Sequence, residues 1–158
     1  LKINPSEKQQ QKMHDDIEDW VMKVLSKPEK VFANLPPCPF AKKAWMENKV
    51  DVKNFVSFEQ LEEDIKNLKE VMIFRFGSIA AEDLEDIAKE YNKKYPNLLF
   101  LEEHPDLVET FDCLVVNQGT SMLIVQDRKE LEDARKQLKK TGYYDNWSEE
   151  LKDRILNR

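Results

Sequence analysis

At 158 residues the chain has the length of one domain and enough of it to bury a proper core. Its 41% hydrophobic and 35% charged content is that of a soluble globular protein, and its 25 basic against 31 acidic residues leave a net charge of −6. An acidic chain with no basic stripe is not built to hold nucleic acid by its phosphates, and its charge runs of mixed sign do not suit a membrane surface.

No apolar run reaches the length of a transmembrane helix, and the opening Leu1-Lys2-Ile3-Asn4-Pro5 lacks the character of a signal peptide. The two cysteines, 38 and 113, lie far apart. With no export signal they are expected as free thiols in a reducing, cytoplasmic setting. Asn146-Trp147-Ser148 fits a glycosylation acceptor, which that setting makes irrelevant.

Along the chain, Asn4-Pro5-Ser6-Glu7 reads as a helix start, with Asn as cap and Pro at the first position. Met13, Ile17, Trp20, Val21 and Val24 follow on one face, and the helix is expected to run to about Ser26 before Lys27-Pro28 ends it. Leu35-Pro36-Pro37-Cys38-Pro39-Phe40-Ala41 then crowds three of the seven prolines around a cysteine. A residue before proline is pushed out of the helical region, so Cys38 is expected to be extended and to cap a short helix through Trp45.

Val50–Lys53 alternates like a strand. Ser57-Phe58-Glu59-Gln60 is a capping box for a helix with its stripe at Phe58, Leu61, Ile65 and Leu68. Val71–Phe76 is an almost unbroken apolar run, the pattern of a strand buried on both faces. Gly77-Ser78 is expected to open a helix carrying Leu84, Ile87, Ala88, Tyr91 and Tyr95, stopped by Pro96. Leu98–Leu101 is a third strand, and His104-Pro105-Asp106 begins a turn. Cys113–Val116 and Met122–Val125 flank Asn117-Gln118-Gly119-Thr120 and read as a hairpin. Asp127 caps a helix with Leu131, Ala134 and Leu138, Gly142 ends it, and a last helix carries Leu151 and Ile155.

Helical crossovers between the first three strands make those strands parallel, and the hairpin adds antiparallel pairing. The expected architecture is α/β, a mixed sheet with helices on both faces. From Val50 to Lys140 this order resembles the thioredoxin-like fold, with Val71–Phe76 as its central strand and Glu82–Tyr95 as the long helix after it. The length gives a single domain over 1–158, expected as an N-terminal helical segment at 1–49, a core at 50–140 that the resemblance implies is thioredoxin-like, and a C-terminal helix within 141–158. The redox members of that fold carry Cys-x-x-Cys where this chain has Gly77-Ser78-Ile79-Ala80, and a proline where it has Asp112-Cys113. What the resemblance implies is therefore the fold of a binding or accessory module, without disulfide exchange. The segment Cys38-Pro39-Phe40-Ala41, after an amphipathic helix and before a strand-helix-strand unit with a later His-Pro-Asp, is also similar to a family of small bacterial proteins of unknown function, which implies no activity.

Three sites follow from residue chemistry. Cys38 at a helix N-terminus, with Lys42 one turn on, has neighbours that lower a thiol pKa. With His104 as base it would make the catalytic pair of a thiol-dependent enzyme, the alternative to a binding module. Cys38, His104 and Cys113 have zinc-ligand chemistry, but their spacing fits no short motif and no fourth ligand is evident, so neither a metal nor a cofactor is expected. The third site is the carboxyl edge of the sheet, where open α/β sheets bind ligands. Arg75, Gly77, Ser78, Glu103, Asp106 and Cys113 gather there as candidates for a small anionic ligand, Arg75 and the helix start supplying the positive end. An ion pair from Arg75 to Glu102, Glu103 or Asp106 is the structural alternative. The partner is expected to be a protein or that anion, with no nucleic acid and no membrane. Tyr143, Tyr144 and Trp147 are expected to pin the terminal helix to the body.

Overall fold

A computed structural model describes residues 5–107, 110–111 and 114–157. Helix α1 (Pro5–Trp20) carries its apolar stripe as the sequence requires, and Met13, Ile17, Trp20 and Val21 are buried. Its last turn widens over Val21–Leu25, where the Ser26 hydroxyl donates to the Val21 carbonyl at 2.6 Å. The cap expected at Asn4 lies outside the described residues. A short turn at Lys30–Phe32 and the proline stretch lead to α2 (Ala41–Met46).

The core elements are β1 (Val50–Asn54), α3 (Phe58–Asp64), β2 (Val71–Arg75), α4 (Ala81–Lys94) and β3 (Leu98–Glu103). The chain continues through the two-residue strands β4 (Thr110–Phe111) and β5 (Leu114–Val115) to β6 (Met122–Asp127), α5 (Arg128–Lys139) and α6 (Glu149–Leu156). The capping residues do what their chemistry demands. Ser57 accepts from the Gln60 amide, Asp127 from Glu130 and Ser148 from Leu151, at 3.1, 2.9 and 3.2 Å.

The main sheet has the order β1-β2-β6-β3. Strands β1 and β2 pair in parallel, and β6 runs antiparallel to both β2 and β3. The first three strands therefore share one direction, as the crossovers require, and the architecture is mixed α/β. Among the described residues the expected hairpin of 113–116 with 122–125 does not form. Strand β5 pairs with β4, while β6 fills the gap between β2 and β3. The physical reason lies in β6 itself. Met122, Leu123 and Val125 are buried, and such an apolar strand needs a neighbour on each side and cover on each face.

One face of the sheet (Met72, Phe74, Phe100, Leu123, Val125) packs against Leu61 and Ile65 and against Ala88 and Tyr91 of α4. The other face, at Ile73 and Met122, packs against Ile17, Trp20, Val21 and Trp45. A third cluster joins Phe32, Phe111 and Val116 to Tyr143, Tyr144 and Trp147, so the aromatic trio does pin the C-terminal segment. The Trp20 indole donates to the Val116 carbonyl at 2.8 Å and ties the second cluster to the third.

Candidate functional site

The proline stretch holds Cys38 differently from the sequence expectation. Phe40, not Cys38, is the residue before α2. Pro39 and Phe40 turn first, and the Cys38 carbonyl accepts from Ala41 N–H at 3.2 Å while its own N–H donates to Leu25 at 3.0 Å. The Tyr143 phenol donates to the Pro37 carbonyl, clamping the stretch against the third cluster. Burial pushes the Cys38 thiol up, and the amides of Phe40 and Ala41 pull it back only in part. Lys42 is exposed and is not among the groups that act on the thiol. The expected lowering of this thiol is thus reversed, because desolvation of a thiolate outweighs two backbone donors.

Cys38 opens into a groove of about 330 Å³ between the end of α1, α2, the second sheet face and α5. Trp20, Val21, Leu25, Ile124, Leu131 and Ala134 make apolar walls. The charged lining residues are Lys43, Glu70, Asp127 and Glu130. The strand residues nearest this end are Val50, Val71 and Gln126. They mark the amino ends of β1 and β2 and the carboxyl end of β6.

His104 belongs to the other end. It follows Glu103, which is in register with Met122 at the opposite end of β6. Six residues of β6 span about 16 Å at the rise of a strand, so Cys38 and His104 lie at opposite ends of the strands. His104 is buried at 7% exposure, and both ring nitrogens are engaged. Nδ1 lies 3.0 Å from the Asp106 N–H and must accept, which leaves Nε2–H to donate to the Ile79 carbonyl at 2.7 Å. Neither nitrogen is free to take a proton from a thiol, and this imidazole locks the loop before α4 onto the end of β3.

The carboxyl edge does bring Arg75 and Glu103 together, since both are in register with Met122. Arg75 ends β2 half-buried beside a cavity of about 470 Å³ that Lys12, Met13, Asp16, Phe55 and Phe76 also line. Among the described residues it forms no salt bridge to Glu102, Glu103 or Asp106. Gly77 and Ser78 do not open the helix: α4 begins at Ala81, with Ala80 before it. Its first turn already holds Glu82 and Asp83, whose charge occupies the favourable dipole end and repels an anion. Glu103 accepts from the Gln118 amide at 3.3 Å, and the exposed Asp106 carboxylate lies 3.8 Å from His104 Nδ1. Cys113 lies outside the described residues, and Cys38 is a free thiol.

The walls of the groove come from segments far apart in the chain and were not among the expected site residues. A signal was present in α5, whose stripe at Leu131 and Ala134 had no assigned partner, and in Val50 and Val71 at the strand starts. His14, Asp15 and Glu18 on α1 present ligand atoms within 4.8 Å of one another, but all three are exposed and solvated.

No protein-family model, curated protein or solved structure matches the chain. Among the described residues no helix is long and apolar enough to cross a membrane.

Proposed function

We propose that the protein is a binding module whose ligand seat is the groove beside Cys38. The ligand is a small elongated apolar molecule with a neutral or positively charged head. The observation that carries this reading is the groove: about 330 Å³, apolar-walled and open to solvent, within the size range of small-molecule pockets. Glu70 in the lining is paired with Lys49 at 2.8 Å, and the remaining carboxylates, Asp127 and Glu130, outnumber Lys43, which disfavours an anionic head.

A thiol-dependent enzyme at Cys38 has less in its favour. It would need an ionised thiol, which burial opposes, and a base, which His104 is too engaged to supply. Disulfide exchange has no Cys-x-x-Cys after β2 to run it. For the core, the thioredoxin-like reading is supported by the parallel β1–α3–β2 unit and the closing β6–α5 pair, while β6 lying between β2 and β3 weighs against it. A free thiol at Cys38 suits a reducing compartment such as the cytoplasm.

The test is calorimetric titration with octylamine, octanol and octanoate, on the protein and on Ala134→Trp, which fills the groove from α5. Saturable binding of the amine or the alcohol, weaker for octanoate and lost in the folded variant, supports the reading. No saturable binding by any of the three, or binding indifferent to Ala134→Trp, overturns it.

A further inference from the structure

The two edges of the sheet are finished differently. At β3 the Asn92 side chain donates to the Phe100 carbonyl at 2.9 Å and accepts from its N–H at 2.8 Å, as a neighbouring strand would. Arg128 donates to the Pro96 and Leu98 carbonyls at 3.0 and 3.2 Å. That edge is closed to pairing.

Among the described residues strand β1 has no such side-chain cover. At the two ends of its ladder, Val71 N–H donates to the Lys49 carbonyl at 3.1 Å and Phe55 N–H to the Arg75 carbonyl at 2.8 Å. The odd-numbered residues therefore face β2, and the peptide groups of Val50, Val52 and Asn54 point out of the edge. Among the described residues no hydrogen bond reaches those groups. A polar groove of about 600 Å³ follows the edge, with Val52 and Asn54 on one side and Gln10 and His14 of α1 on the other. Just past the strand, Val56 and Phe58 are 77% and 46% exposed.

We propose that β1 is the pairing edge for a second copy of this chain, joined antiparallel about Val52 so that two sheets become one. The sequence Val50-Asp51-Val52-Lys53-Asn54 is self-complementary in that register. A lysine on an edge strand keeps copies apart when it meets another lysine. Here the two-fold axis at Val52 sets Asp51 of one copy against Lys53 of the other, in the non-hydrogen-bonded positions where side chains are nearest. Val52–Val52 and Val50–Asn54 then become the hydrogen-bonded pairs, using the outward peptide groups. Within each copy Asp51 lies 3.7 Å from Lys69 and Lys53 lies 3.5 Å from Asp64. The junction lines these up as Lys69, Asp51, Lys53 and Asp64, alternating in sign across the two copies. A five-residue pairing is a small interface, so the dimer is weak and concentration-dependent.

Sedimentation velocity from about 5 to about 500 µM, at low and high salt, reads the association. Dimer is expected to grow with concentration and to fall with salt. Lys53→Asp weakens association by about three- to tenfold, the loss of two symmetric cross-strand charge pairs. Adding Asp51→Lys to it gives tighter association than either single reversal. Val52→Pro removes an N–H that faces outward, so it abolishes the dimer while leaving the β1–β2 ladder whole, as circular dichroism checks. A chain that is monomeric throughout overturns the proposal. So does a dimer that folded Val52→Pro leaves intact, or a double reversal no tighter than the single ones.

Discussion

His104→Ala separates a structural imidazole from a catalytic one. The side chain is buried and makes two bonds, to the half-buried Ile79 carbonyl and to the exposed Asp106 amide. Truncation leaves both without their partner. A buried group losing its partner costs about 1–3 kcal/mol, and an exposed one that water can reach costs less. The Ile79 side is therefore worth about 1–2 kcal/mol and the Asp106 side about 0.5–1, for a total of about 1.5–3 kcal/mol. The two bonds can be restored one at a time. Gln reaches the position of Nε2 and keeps the Ile79 bond, and Asn reaches that of Nδ1 and keeps the Asp106 bond. Equilibrium urea unfolding of the three variants is expected to rank Gln above Asn above Ala. Alkylation of Cys38 is expected to proceed at the unaltered rate in all three. A His104→Ala protein within about 0.5 kcal/mol of the parent would refute the structural role. Slower Cys38 alkylation would refute the separation of the two residues.

Two further expectations test the fold. Burial, with the Glu62 carboxylate beside it, pushes the Tyr91 phenol up to about 12 from an ordinary 10.0. The folded state then holds a proton that the unfolded state gives up. Stability is unaffected below the unfolded value and falls as pH rises from about 10 towards 12. Tyr91→Phe should flatten that part of the pH–stability curve, and an unchanged slope would contradict the assignment. The glycines divide as well. Gly142 sits at φ +80° and an added Cβ would meet Asp145 Oδ2 at 3.0 Å, so Gly142→Ala should cost about 1–2 kcal/mol in urea unfolding. Gly77 has open space and no positive φ, so Gly77→Ala should be near neutral; equal losses would contradict this backbone account.

The features legible in the sequence are those whose chemistry is local. Ser57 and Asp127 cap helices because a short side-chain acceptor meets an amide three residues on, and nothing distant is needed. The stripe Met13, Ile17, Trp20 and Val21 buries itself because its spacing offers one face. Strand partners are set by distant segments. Asn117–Thr120 looked like a hairpin turn, yet the run Met122–Val125 has the same unbroken apolar character as Val71–Phe74. That character belongs to a strand with neighbours on both sides, and it argued for the interior of the sheet. Cys38 was misjudged for a related reason. Its immediate neighbours favour ionisation, but Tyr143, more than a hundred residues on, folds over the proline stretch and helps to dry it. The edge carrying Arg75 and Glu103 was legible from strand direction alone, whereas the groove needed α5 to be packed before it existed.

The central claim is that the groove at Cys38 binds an apolar ligand and that its thiol is an inert wall. Alkylation of the Cys38 peptide, followed by mass spectrometry across pH with and without octylamine, tests both halves. The account predicts a midpoint above that of an ordinary thiol, and slower labelling when the amine fills the groove. Fast labelling at neutral pH that octylamine does not slow would contradict it.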